Sequence, residues 1–177
     1  VTILGTVYGE VSAIEATAVS RIGITIGTQG HVSGETGEGI TVNTSSRAAL
    51  DNRGTITSSS GAVDLHQSSG SAEITVFNSG RITSILADDP ALYVDHGAGG
   101  GHMVNTGEIS AQGLAVEWAG AADTRNRLDI VNHGTITSIT DSAISLSPGR
   151  FTTATLYNTG TIIGTDTTLS IGADNGR

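Results

Sequence analysis

The sequence predicts an all-β chain folded as a single-domain parallel β-helix, a solenoid of about seven coils with three short strands each. Three observations predict it. The first is a motif, Asn-x-Gly-x-Ile, that occurs as Asn52-Arg53-Gly54-Thr55-Ile56, Asn78-Ser79-Gly80-Arg81-Ile82, Asn105-Thr106-Gly107-Glu108-Ile109, Asn132-His133-Gly134-Thr135-Ile136 and Asn158-Thr159-Gly160-Thr161-Ile162. Successive Asn positions differ by 26, 27, 27 and 26 residues, the regularity of one coil per repeat. The second is period-two alternation of apolar and polar residues in three short stretches of each repeat, with no sustained helical spacing. The third is composition: 37% of residues are hydrophobic but only 3% aromatic, so the core must be built of small and branched aliphatics, which suit narrow stacked coils.

Along the chain, residues 1–47 form atypical N-terminal coils. Tyr8-Gly9-Glu10-Val11-Ser12 and Gln29-Gly30-His31-Val32-Ser33 keep Gly-x-Val-Ser but lack the Asn. Their glycines lie 21 (30 − 9) and 24 (54 − 30) residues apart, so coil length ranges over 21–27 residues. Atypical ends are expected where a solenoid must manage an open edge. Residues 48–165 are the regular coils and 166–177 the C-terminal end.

Each regular coil has one strand before the Asn, as in Ile74-Thr75-Val76-Phe77, Leu128-Asp129-Ile130-Val131 and Ala154-Thr155-Leu156-Tyr157. A second follows the Gly, as in Thr55-Ile56-Thr57, Arg81-Ile82-Thr83, Glu108-Ile109-Ser110 and Thr135-Ile136-Thr137. After a variable loop comes the third: Ala62-Val63-Asp64-Leu65, Ala91-Leu92-Tyr93-Val94, Gly113-Leu114-Ala115-Val116 and Ala143-Ile144-Ser145-Leu146. At ~4.8 Å per coil, seven coils give a rod core about 30 Å long.

The Asn falls at a corner between two strands. Asn tolerates left-handed backbone there, and the Gly two residues on has no Cβ to penalise it. Stacked coils would also let Asn52, Asn78, Asn105, Asn132 and Asn158 hydrogen-bond to one another as a structural ladder.

Eight basic against seventeen acidic residues give a net charge of −9, which excludes nucleic acid and disfavours anionic membrane surfaces as partners. Divalent cations and neutral or cationic glycans stay compatible with it. The absence of cysteine excludes a disulfide framework and thiolate metal sites. No apolar run reaches membrane-spanning length, so no transmembrane segment is expected. The chain starts at Val1 without Met or a signal peptide, which reads as a mature or excised segment.

No phosphate loop, nucleophile elbow, zinc-protease helix or dinucleotide fingerprint is present, so no catalytic residue is assigned. Aligning the third strands on Val63/Leu65, Leu92/Val94, Leu114/Val116 and Ile144/Leu146 gives two outward columns. One is Asp64, Tyr93, Ala115 and Ser145; the other is His66, Asp95, Glu117 and Ser147. Neighbours in a column would lie ~5 Å apart. That alignment makes His66, Asp95 and Glu117 a candidate metal site, joined at its edge by His96, Asp64 and Tyr93. Carboxylates suit Ca²⁺ and a His suits a transition metal, so the cofactor expectation is either none or Ca²⁺. The same carboxylates would suit an acid/base pair on a glycan. Trp118 should point inward by alternation, and Arg125 and Arg127 pair with Asp123 on a loop. His31, His102 and His133 share no column and are not assigned as ligands.

The coils Ile130-Val131-Asn132-His133-Gly134-Thr135-Ile136-Thr137-Ser138 and Leu156-Tyr157-Asn158-Thr159-Gly160-Thr161-Ile162 resemble those of bacterial secreted β-helices, as in autotransporter passenger domains and hemolysin-type (RTX) proteins. The resemblance covers about residues 48–165. It implies export from a Gram-negative bacterium to the medium or cell surface, and a structural or adhesive module, part of a larger protein, that presents a binding surface to a glycan or another protein. The glycine-rich calcium nonapeptide is absent: Gly97-Ala98-Gly99-Gly100-Gly101 lacks its Asp and its period. The alternative is a carbohydrate-active enzyme (lyase, hydrolase or epimerase) on the same scaffold. End-to-end or side-by-side self-association is a further expectation, because a coil edge can stack on another molecule.

Overall fold

The structure is a computed structural model that describes residues 1–18, 20–68, 71–86, 89–97, 99–120, 127–147 and 153–172. Seven coils wind in succession. The first holds β1 (Thr2–Ile3), β2 (Thr6–Gly9) and β3 (Ile14–Ala18). The second holds β4 (Ile22–Ile26), β5 (His31–Gly34) and β6 (Ile40–Thr44), and the third β7 (Ala48–Asn52), β8 (Thr55–Ser58) and β9 (Val63–Gln67). The fourth holds β10 (Ile74–Asn78), β11 (Arg81–Ser84) and β12 (Leu92–His96), and the fifth β13 (Gly101–Asn105), β14 (Glu108–Ala111) and β15 (Val116–Gly120). The sixth holds β16 (Arg127–Asn132), β17 (Thr135–Ser138) and β18 (Ile144–Ser147), and the last β19 (Thr153–Asn158), β20 (Thr161–Ile163) and β21 (Leu169–Ile171).

Equivalent strands of successive coils pair in parallel, which gives three seven-stranded sheets. Sheet A contains the strands that lead into the Asn, sheet B those that follow the Gly, and sheet C the third strands. The pairing is in register, Ile56 on Ile82 on Ile109 on Ile136 in sheet B for example. These isoleucines are fully buried. Removing each from water contributes roughly 1.5–3 kcal/mol, so a repeated side chain is also a repeated increment of stability. In the first and last coils the inward residues, among them Ile3, Val7, Ile14, Leu156 and Ile162, are only partly buried because a neighbouring coil covers one side.

Each of the three corners buries its own polar column. At the A-to-B corner, Ile3 and Ile26 give way to Asn52, Asn78, Asn105, Asn132 and Asn158. Each Nδ2 donates to the next Oδ1, at 2.7, 2.7, 2.8 and 2.8 Å along the series. The second N–H reaches a carbonyl of the next coil: Asn52 to Arg81, Asn78 to Glu108, Asn105 to Thr135 and Asn132 to Thr161. At the B-to-C corner, Ser84 and Ser138 donate to Ser60 and Gly113 carbonyls. At the C-to-A corner, Thr44, Gln67 and His96 are buried in line.

The corner glycines have a different reason from the one the sequence predicts. Among the described glycines only Gly100, with φ of 78°, has left-handed backbone. Gly54, Gly80, Gly107, Gly134 and Gly160 stack instead, and a Cβ on each would fall inside the carbonyl oxygen of the glycine one coil before. Close coil-to-coil approach requires them.

Candidate functional site

Sheet C carries the outward residues that the sequence singles out. Its register is Thr41–Asp64–Tyr93–Glu117–Ser145 in one column and Asn43–His66–Asp95–Ala119–Ser147 in the other. This corrects the sequence alignment by two residues in the fifth coil. The inward pair there is Val116 and Trp118, not Leu114 and Val116. Ala115 belongs with Ala62, Ala91 and Ala143 in a fully buried corner column that precedes the third strands of the third to sixth coils. That alanine is the sequence signal that fixes the register. Glu117 therefore lies beside Tyr93, and Ala119 beside Asp95.

His66 and Asp95 do come together, Nδ1 to Oδ2 at 3.0 Å. Glu117 is not their column neighbour, and His96 faces inward with no exposed surface. Among the described residues no three His, Asp or Glu side chains are placed to hold a metal ion. Trp118 is fully buried, between Val94 and Leu146 in its column. His31 and His102 lie in sheets B and A, and His133 packs edge-on against Tyr157. Asp123 and Arg125 lie outside the described residues; Arg127 pairs with Asp129 at 2.6 Å.

A pocket of about 260 Å³ opens on sheet C where the B-to-C corners rise beside it. Asp64, Tyr93 and Glu117 form its floor and wall from three successive coils, while Glu38, Asp89 and Pro90 enter from the corners. One carboxyl oxygen of Asp64 (Oδ1) and the hydroxyl of its column neighbour Thr41 are buried without hydrogen-bond partners. Desolvation, then the charge of Glu38, pushes the Asp64 carboxyl up to about 6; Asp95 and Asp89 add to this and His66 opposes it. Desolvation also raises Glu117. The Tyr93 phenol is raised by burial first and then by Asp95, Glu117 and Asp64. The pocket thus places an amphipathic ring between two carboxyls that resist ionisation, an arrangement able to stack on a sugar or a cation and to accept or donate hydrogen bonds around it.

Sheet B presents rows of Thr and Ser such as Thr57, Thr83, Ser110 and Thr137, crossed by the Arg81–Glu108 ion pair at 3.2 Å. Sheet A presents the column Asp51–Phe77–Val104–Val131–Tyr157, in which Phe77 and Tyr157 are exposed. Among the described residues no helix is long and apolar enough to cross a membrane.

Comparisons of the chain with protein-family models, with curated proteins and with solved structures find no match. The fold rests on its own geometry: an all-β solenoid of three parallel sheets and three strands per coil.

Proposed function

We propose that this chain is a structural β-solenoid module, exported and belonging to a larger bacterial surface or secreted protein, that presents sheet C as a binding surface for a glycan. The single observation behind this reading is the pocket around Tyr93, where six acidic, aromatic and corner residues from four coils converge on one outward face. A sugar ring can stack on Tyr93 while Asp64 and Glu117 take hydroxyl hydrogen bonds from either side. The net charge of −9 directs the choice toward neutral or amino sugars. A glycan array followed by calorimetry tests it. Binding of neutral or cationic glycans that Tyr93→Ala abolishes supports the reading; unchanged binding by that variant, or binding confined to acidic glycans, removes it.

One observation favours a second reading, glycoside hydrolysis. Asp64 and Glu117 stand two coil steps apart on either side of Tyr93 in one column and line the same pocket, so two carboxyls flank the place where a sugar would stack. A carboxyl at about 6 is suited to general-acid work. Release of reducing ends from a bound glycan, lost in Asp64→Asn with binding retained, would establish hydrolysis over binding alone.

A further inference from the structure

We propose that the C-to-A corner holding His96 against Trp118 is an acid-operated joint between the fourth and fifth coils, closed while the imidazole is neutral and opened when it takes a proton. The proposal is independent of what the sheet C pocket binds.

His96 has no exposed surface. Its Nδ1 lies 2.6 Å from the carbonyl oxygen of Ala119, close enough that the Nδ1–H donates there. The same Nδ1 lies 3.1 Å from Trp118 Nε1, whose N–H can find a lone pair at Nδ1 only in the opposite tautomer. Neither neutral tautomer satisfies both neighbours. In the tautomer that gives Trp118 its acceptor, the Ala119 oxygen faces a lone pair. In either case Nε2 is buried without a partner. Whichever nitrogen takes the second proton, the doubly protonated ring carries a buried Nε2–H that nothing accepts and no longer has the lone pair that the Trp118 N–H could use. The ring can hold that charge only by moving out.

The charged and titratable groups on the elements around the ring do not remedy this. They are Asp95 and Tyr93 on β12, Asp64 and His66 on β9, Glu117 on β15, His102 on β13 and Glu73 just before β10. Those on the strands occupy outward positions, opposite to the buried ring. Of these, Asp95 favours the charged ring, and its carboxylate is already paired with His66. Inside the corner the neighbours are neutral: Trp118, edge-on at 6.4 Å between ring centroids, and Gln67, whose amide is committed to the Ser46 and Ala72 carbonyls and to the Gly97 N–H. Burial holds the His96 pKa below its ordinary 6.5, against the Ala119 hydrogen bond and Asp95.

The chain that leaves the ring is rich in glycine. Residues 97 and 99–101 are all glycine, and Gly100 occupies left-handed backbone close to the Arg127 carbonyl. When His96 leaves, the adjacent Asp95 is displaced from His66, so the event is transmitted to the outer face of sheet C.

The single Trp of the chain reports the joint directly. Emission of Trp118 is followed as pH is lowered, with far-UV circular dichroism alongside and with histidine-selective NMR of the unsubstituted chain. Expected is a red shift of emission with a midpoint below 6.5, matched by the His96 ring resonances, with the dichroism of the rod unchanged. The shift is lost in His96→Gln and kept in Asp64→Asn, which removes the carboxyl pushed up to about 6. A shift that persists in His96→Gln or vanishes in Asp64→Asn overturns the proposal. So does an emission change that coincides with loss of the rod's dichroism, or a His96 resonance that titrates without any response at Trp118. The NMR arm decides the matter if His96→Gln does not fold.

Discussion

Gly101 and Trp118 share one volume: a Cβ on residue 101 would lie inside the benzo ring of the indole. Gly101 is the inward residue of sheet A where the neighbouring coils have Ile74 and Leu128, and the space that a branched side chain fills elsewhere is taken from across the coil by the Trp. The two departures from the repeat are therefore one packing solution. Gly101→Ala should destabilise the chain by about 2 kcal/mol through overpacking. Trp118→Leu in that background should recover part of the loss, because Leu146 and Val94 show what the column otherwise holds. Urea unfolding of the single and double variants measures this, and strictly additive losses would show that the two positions do not share space.

The Asn ladder should be strongest in its middle. Removing Asn105 leaves the Asn78 Nδ2 without its acceptor and the Asn132 Oδ1 without its donor. Each buried orphan costs about 1–3 kcal/mol, so Asn105→Ala should lose about 3 kcal/mol. Asn158 accepts one ladder bond at an exposed end, and Asn158→Ala should lose about 1 kcal/mol or less. Thermal or urea midpoints of the two variants give the comparison; equal losses would mean that the ladder is decoration on a rod held by its aliphatic stack.

Asp64 makes stability fall as pH rises. Its folded-state carboxyl sits at about 6 against an ordinary 3.8, so the folded chain binds the proton more tightly than the unfolded one. That contribution is fully present below 3.8 and is lost as pH rises through about 6. At neutral pH the ionised group is held in a half-buried place, at a cost on the order of 1 kcal/mol once solvent screening is allowed for. Asp64→Asn should therefore be more stable than the parent at pH 7 by about that amount and flatten the profile across this range. Urea titrations at several pH values check it, and a variant less stable at neutral pH would contradict the sign.

The fold was legible because its rules are local and repeated. Asn and Gly recur at a corner where side chains hydrogen-bond coil to coil and where no Cβ fits, so five copies announce the period. The face of sheet C was legible only where the period-two pattern had a fixed phase. Leu114 and Val116 alternate as well as Val116 and Trp118 do, and alternation alone cannot say where the corner ends. The buried alanine before the third strands of the middle coils does say it: Ala62, Ala91, Ala115 and Ala143 line up. The sequence reading joins His96 to the edge of the outer cluster, although the alternation that puts Val94 inside and Asp95 outside also puts His96 inside. The pocket itself depends on how the corners at Glu38 and Asp89 rise beside the sheet, which no periodicity encodes.

The register that joins Asp64, Tyr93 and Glu117 into one column is the claim on which the candidate site stands, and disulfide formation measures it directly in a chain with no native cysteine. Tyr93→Cys with Glu117→Cys places the pair on adjacent strands at a Cα separation of ~4.8 Å, inside the range a disulfide spans. Asp95→Cys with Glu117→Cys places them on a diagonal of about 8 Å, outside it. Rapid oxidation to an intramolecular bridge is expected in the first double variant and none in the second. A bridge that forms between positions 95 and 117 and not between 93 and 117 would contradict this register and restore the alignment in which Glu117 stands beside Asp95.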